Sequence, residues 1–182
     1  MKRIITILAA MVITTVSSLA QESQETFNYR EKVPHLYTTV ELNIAGGEFQ
    51  GWGKPDFGLY GFAISPGYRF NQNWSVFVPI TADLLLVNRQ STQNYVEQGT
   101  LGLGASYTIP MKDHTAIEVV LSGGSTYIKS DINYFKAKAA VNLGFHGLGC
   151  SPYVGIGCSY LTQYNTGKNL SMLEISIGFT IF

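Results

Sequence analysis

The chain has 182 residues, with 12 Lys and Arg balanced by 12 Asp and Glu. Charged residues make up only 13% of it, the same share as aromatics, against the ~25–35% usual for a water-facing surface. No basic stripe interleaves with aromatics, so nucleic acid is excluded as a partner, and the length suits one domain.

Residues 1–20 read as a secretory signal peptide. Lys2 and Arg3 form its positive end, Ile4 to Val16 its apolar stretch, and Ser18-Leu19-Ala20 a small-x-small cleavage site that leaves Gln21 first. An uncleaved anchor is the alternative, but the apolar run falls short of the ~20 residues a span needs. No Cys stands at the cleavage point, so no lipid-modified N-terminus is expected. Residues 21–33 are polar and aperiodic and read as a periplasmic tail.

Residues 34–182 then read as eight strands. Successive strand side chains point to opposite faces, so a period of two separates two sets. From Leu36 to Ala45, Val40, Leu42 and Ile44 alternate with Thr39, Glu41 and Asn43. From Phe57 to Phe70, Tyr60, Phe62, Ile64, Pro66, Tyr68 and Phe70 oppose Gly61, Ala63, Ser65, Gly67 and Arg69. From Trp74 to Leu86, Trp74, Val76, Val78, Ile80, Ala82 and Leu84 oppose Ser75, Thr81 and Asp83. From Val96 to Ile109, Leu101, Leu103, Ala105, Tyr107 and Ile109 oppose Gly102, Gly104, Ser106 and Thr108.

The fifth strand, Thr115 to Tyr127, is the least regular; Ile117, Val119 and Leu121 oppose Glu118, Val120 and Ser122. The sixth, Tyr134 to Phe145, sets Phe135, Ala137, Ala139, Val141, Leu143 and Phe145 against Lys136, Lys138, Asn142 and Gly144. The seventh, Pro152 to Leu161, sets Val154, Ile156, Cys158 and Tyr160 against Gly155, Gly157 and Ser159. The eighth, Leu170 to Phe182, sets Leu173, Ile175, Ile177, Phe179 and Ile181 against Glu174, Ser176, Gly178 and Thr180. Cys150 and Cys158 frame one strand about 26 Å long, whereas a disulfide needs Cα atoms about 5.5–6 Å apart, so they do not pair with each other.

Three connections are short: Asn71 to Asn73, Pro110 to His114 and His146 to Gly149. Four are expected to be mostly longer: Gly46 to Asp56, Val87 to Tyr95, Ile128 to Asn133 and Thr162 to Asn169. Outer-membrane barrels have short periplasmic turns and longer outer loops, and an even strand count leaves both termini in the periplasm. No 18-residue apolar run follows residue 20, which excludes a helical membrane protein.

Two barrels fit this pattern. In a soluble lipocalin-like barrel the apolar face points inward around a ligand, and charges face water. In a membrane barrel the apolar face meets lipid and the polar face lines the lumen. The polar set is Gly, Ser and Thr with few charges, a poor solvent face and a good fill for a narrow lumen. The aromatics gather near strand ends. Tyr68, Phe70, Trp74, Tyr107 and Phe145 mark the short-turn end, and Phe57, Tyr60, Tyr95, Tyr127, Tyr134 and Tyr160 the loop end. Two such girdles suit the two membrane interfaces. The expected fold is therefore an all-β, eight-stranded antiparallel up-and-down transmembrane β-barrel.

At this point the chain resembles the small outer-membrane β-barrel family of the OmpA/OmpX type, over Leu36 to Phe182, in strand count, alternation and loop pattern. The resemblance implies outer-membrane lipid, the barrel-assembly machinery and periplasmic chaperones as partners, with Phe182 as the terminal aromatic that the machinery reads. Phe182 departs from the family pattern, because it is in phase with Thr180 and Gly178 while the lipid-facing set is Phe179 and Ile181. A bulge near the end would reconcile the two. No second domain follows the eighth strand, so the peptidoglycan-binding half of OmpA-like proteins is expected to be absent.

The charges in phase with the lumen are Glu41, Arg69, Asp83, Glu118, Lys136, Lys138 and Glu174. Arg69 and Glu118 lie toward the short-turn end and the others higher. An eight-stranded barrel is just wide enough for side chains to fill, so these charges are expected to form a buried polar network; separate hydrated charges in a wet pore are the alternative. His35, His114 and His146 fall near one rim but on different connections, which gives no metal site, and no cofactor is expected. The architecture has enzymatic precedents in lipid A deacylases and palmitoyl transferases. A Ser/His/acid arrangement must converge in space, and no His shares a strand middle with a luminal Ser and a carboxylate. The function expected is a non-enzymatic outer-membrane barrel whose loops, Gly46 to Trp52 and Gln90 to Tyr95 among them, serve surface contact or envelope stability; the alternative is a small porin for ions or small solutes.

Overall fold

The computed structural model describes residues 35–49, 57–89, 92–111, 115–127, 133–145, 150–167 and 169–181. The signal peptide, the tail, His114, His146 and Phe182 lie outside these residues.

Alternating β-branched, aromatic and small residues favour extended chain, and nine strand segments form in sequence. They are β1 (His35–Phe49), β2 (Phe57–Arg69), β3 (Trp74–Phe77), β4 (Ile80–Arg89), β5 (Thr92–Pro110), β6 (Thr115–Thr126), β7 (Tyr134–Phe145), β8 (Cys150–Gln163) and β9 (Asn169–Ile181). Each pairs antiparallel with its neighbours, and β1 pairs with both β2 and β9, which closes the sheet into a barrel without free edges.

Segments β3 and β4 are two halves of one barrel strand, pairing with β2 and β5 in unbroken register. The interruption has a covalent cause. Val78 N–H donates to the Pro66 carbonyl at 2.9 Å, and Gly102 N–H donates to the Pro79 carbonyl at 3.1 Å. Neither proline carries an N–H to return the bond, so two ladder bonds are missing side by side. The third predicted strand is thus one strand in the wall and two in hydrogen bonding.

Register fixes the barrel's shape. Stepping through paired residues from His35 leads to Arg69, Ser75, Ser106, Val120, Ala140, Gly157 and Glu174, and returns to β1 at Ala45, ten residues along. A stagger of that size over eight strands, with ordinary strand spacing, tilts the strands by about 40°. About ten residues of each strand then cover an apolar band ~25 Å tall.

The strands are longer than their alternation suggested, and this corrects the expected connections. Gly46 to Phe49 continue β1 opposite Leu173 to Leu170, and Gln93 to Tyr95 belong to β5, opposite Asn88 to Leu86. The expected long connection Val87 to Tyr95 shrinks to residues 90–91, and Thr162 and Gln163 remain in β8 before a turn over Tyr164 to Thr166. These small and polar residues are poor strand formers alone, but a paired neighbour supplies their hydrogen bonds.

The two faces are opposite in character. Outside, Leu42, Ile44, Leu103, Leu121, Ile156, Ile175 and Ile177 are exposed; inside, Asn43, Ser75, Ser106, Lys136, Ser159, Glu174 and Ser176 are buried. That inverts a water-soluble protein, in which apolar side chains fill the interior, and it is the arrangement of a barrel in lipid. The soluble-barrel alternative is set aside. No helix among the described residues is long and apolar enough to cross a membrane. Alternation on β9 runs without a bulge through Ile181.

Candidate functional site: the lumen

The strand pleat decides which residues enter the lumen, and Glu41, Arg69, Asp83, Glu118, Lys136, Lys138 and Glu174 lie on its inner face. Five of them meet. Lys138 Nζ lies 2.6 Å from Glu41 Oε1 and 2.5 Å from Glu174 Oε1, bridging β7 to β1 and β9. Lys136, one pleat nearer the loop end, lies 3.6 Å from Asp83 Oδ2 and 3.9 Å from Glu174 Oε2. Glu174 is only 1% exposed. A buried carboxylate needs hydrogen bonds as well as a countercharge, and hydroxyls supply them. Ser159 donates to Glu174 Oε2, Thr81 to Asp83 Oδ2 at 2.9 Å, and Tyr153 to Glu41 Oε2 at 2.8 Å. Asn43 Nδ2 donates to Glu41 Oε1 at 3.2 Å.

Arg69 and Glu118 sit apart from the other five, toward the rim where β1 begins and β9 ends. The Arg69 guanidinium lies 5.8 Å from the centroid of the Tyr37 ring. Ser106 donates to Glu118 Oε1 at 2.6 Å and shares a 2.6 Å hydrogen bond with Ser75 across β3 and β5.

Bulky luminal side chains are accommodated opposite glycines. The Tyr37 ring covers Gly67, the Phe77 ring covers Gly104 and the Tyr153 ring covers Gly178; a Cβ at any of them would overlap the ring. Gly61 is flanked by Asn43 and Asp83, whose Oδ1 atoms would lie 1.9 and 2.5 Å from a Cβ there. The absence of a side chain lets these two polar groups lean over one strand.

At the opposite end the lumen is apolar, which the sequence reading missed. Ala45, Leu59, Leu85, Tyr134, Leu161, Leu170 and Met172 pack into one buried cluster, with Val96 against it. All lie near strand ends bordering residues 50–56, 90–91, 128–132 and 168. Tyr134 therefore does not belong to the outer aromatic girdle. It shares the phase of Lys136, points inward and is 1% exposed. The phase was visible, but a tyrosine at a strand end also suits a membrane interface. Ile109, placed among lipid-facing residues, is likewise buried.

The interface aromatics Tyr60, Tyr68, Phe70, Trp74, Phe145 and Tyr160 are exposed on the outer wall, and Tyr107 is half-buried there. Trp74 and Tyr107 meet edge to face with ring centroids 4.9 Å apart, and Tyr68 and Phe70 do so at 5.3 Å. Cys150 and Cys158 are both free and exposed on β8, opposite Ile181 and Leu173. His35 opens β1.

No protein-family model matches the chain, and no curated protein matches it in sequence. Among solved structures it is similar to Neisserial surface protein A (NspA), with a TM-score of 0.56 and 15% identity, over 80% of this chain and 96% of that one. Ail, the attachment invasion locus protein of Yersinia pestis, has a TM-score of 0.46 and 12% identity over 80% of this chain and 97% of its own. The N-terminal β-barrel domain of Pseudomonas aeruginosa OprF has a TM-score of 0.38 and 15% identity over 79% and 97%. At such identity the likeness to NspA establishes the fold alone: a closed eight-stranded barrel of the OmpA/OmpX type.

Proposed function

We propose that the chain is an integral outer-membrane protein that neither catalyses nor conducts, a side-chain-filled barrel that holds its loops at the cell surface for envelope or interaction roles. The observation carrying this reading is the double closure of the lumen. The Lys138–Glu41–Glu174 network crosses it, and the Leu59–Leu85–Tyr134–Leu170 cluster seals its loop end. An ion would have to separate buried paired charges and then pass a dry apolar layer. The non-enzymatic part rests on the luminal hydroxyls. Ser106 and Ser159 are held by carboxylates, and none of the three histidines falls within the middle of a strand to serve either as a base. Both described chain ends lie at the rim opposite the apolar cluster, which orients the termini to the periplasm if export proceeds through a signal peptide cleaved after Ala20.

Planar-bilayer recording of the refolded protein tests closure. Silence, or only rare brief openings, is expected. Large, stable unitary currents would replace this reading with the porin one.

A further inference from the structure

Among the described residues, two cavities lie within the lumen. The larger, about 70 Å³, lies beside the Lys138–Glu41 pair and is walled partly by Ser65, Thr100 and Ser122. The smaller, about 20 Å³, lies nearer the rim of the chain ends, beside Arg69, Ser151 and Thr180. Glu118, Asn142 and Tyr153 line both.

Two further observations identify the occupant. The side-chain oxygens of Asn43 and Asn142 are buried and have no hydrogen-bond partner, and both residues line the larger cavity. An amide oxygen in that position needs a donor, and the ammonium of Lys138 is held by two carboxylates. A water needs roughly 10–15 Å³ of such space and two to four polar partners. The larger cavity thus has room for several waters, and its walls have acceptors for them. The leucines of the apolar cluster above offer none; Leu59, Leu85 and Leu170 are each at most 1% exposed.

We propose that the lumen is a one-ended water vestibule. A short file of waters enters at the periplasmic rim past Arg69 and Glu118, satisfies Asn142 and Asn43, wets the near side of the Lys138 network and stops beneath the apolar cluster. This rests on the closed-lumen reading and adds to it a direction of access and an occupant.

Hydroxyl-radical footprinting tests it, because radicals made from bound water oxidise the side chains beside it. The full chain is refolded in phosphatidylcholine vesicles, and two buried tyrosines are compared. Tyr153 lines both cavities and Tyr134 sits in the apolar cluster. Oxidation of Tyr153 is expected to be at least fivefold faster than that of Tyr134. Arg69→Ala is expected to raise the Tyr153 rate again and leave Tyr134 unchanged. Equal slow rates would show a dry lumen, and equal fast rates a lumen open at both ends; either overturns the proposal. An unchanged Tyr153 rate in folded Arg69→Ala overturns the direction of entry. A wild-type protein silent in bilayers with Tyr153 unreactive would remove the vestibule and leave the closed barrel standing; steady wild-type currents would remove the closed barrel itself.

Discussion

Lys138 stands between two buried carboxylates at hydrogen-bonding distance, whereas Lys136 is 3.6 and 3.9 Å from its acids. Removing one partner of a buried ion pair costs about 3–5 kcal/mol, because the remaining charge keeps its desolvation penalty. Lys138→Ala is expected to lose that much in urea unfolding in vesicles, and Lys136→Ala a comparable amount, because it takes the adjacent cation from the fully buried Asp83 carboxylate. A loss below about 1 kcal/mol for Lys138→Ala would mean a network hydrated like an exposed pair. Gly61 gives a second test from packing alone. A methyl there would overlap Asn43 and Asp83, so Gly61→Ala is expected to cost about 1–3 kcal/mol, the range for overpacking, while Gly167→Ala, with open space around it but a φ of 62°, is strained through its backbone instead. An unaltered unfolding midpoint for Gly61→Ala would contradict the placement of Asn43 and Asp83 over β2. The charged positions were legible in the sequence because a charge on a lipid face is costly and so fixes strand phase. The cluster of Leu59, Leu85, Leu161 and Leu170 was not, since leucines in the luminal phase contradict a simple polar-in pattern, and these four stand near the ends of the expected strands, where the alternation stops.

On β7, Lys138 and Ala139 are neighbours on opposite faces. Lys138 faces Glu41 across the lumen, and Ala139 is exposed on the outer wall opposite Leu121 and Cys158. Exchanging them keeps composition and charge constant but moves an ammonium into hydrocarbon, which costs about 2–4 kcal/mol near the midplane, and also strips Glu174 of a partner. The swapped protein is expected to fold poorly into vesicles, whereas Ala139→Leu should fold at least as well as the unmodified chain. A swapped protein that folds normally would place the strand in the other phase. Alternation exposed the existence and phase of every strand. It could not show the break between β3 and β4, because Pro79 keeps the phase while removing a hydrogen bond, nor the true ends of β1 and β5, where Gly46, Gly47, Gln93 and Asn94 are ordered by their partners across the ladder.

For the whole molecule, closure and stagger are properties of pairing, and no single segment carries them; the ten-residue offset from His35 to Ala45 becomes visible only when all eight strands are joined. The cavities are similarly hidden in the sequence, since they depend on Phe77 lying over Gly104 and on the small walls at Ser65, Thr100 and Ser122. What the sequence did carry is the inversion of the two faces, and the central claim rests on it: the apolar wall meets lipid. The direct measurement is refolding of the unmodified chain, residues 21–182, from urea in three media: plain buffer, detergent micelles and phosphatidylcholine vesicles. It is followed by gel mobility with and without boiling and by size-exclusion chromatography. The account predicts a compact, heat-modifiable species in micelles and vesicles and aggregation in plain buffer. A folded, monodisperse species in buffer without detergent or lipid would contradict it.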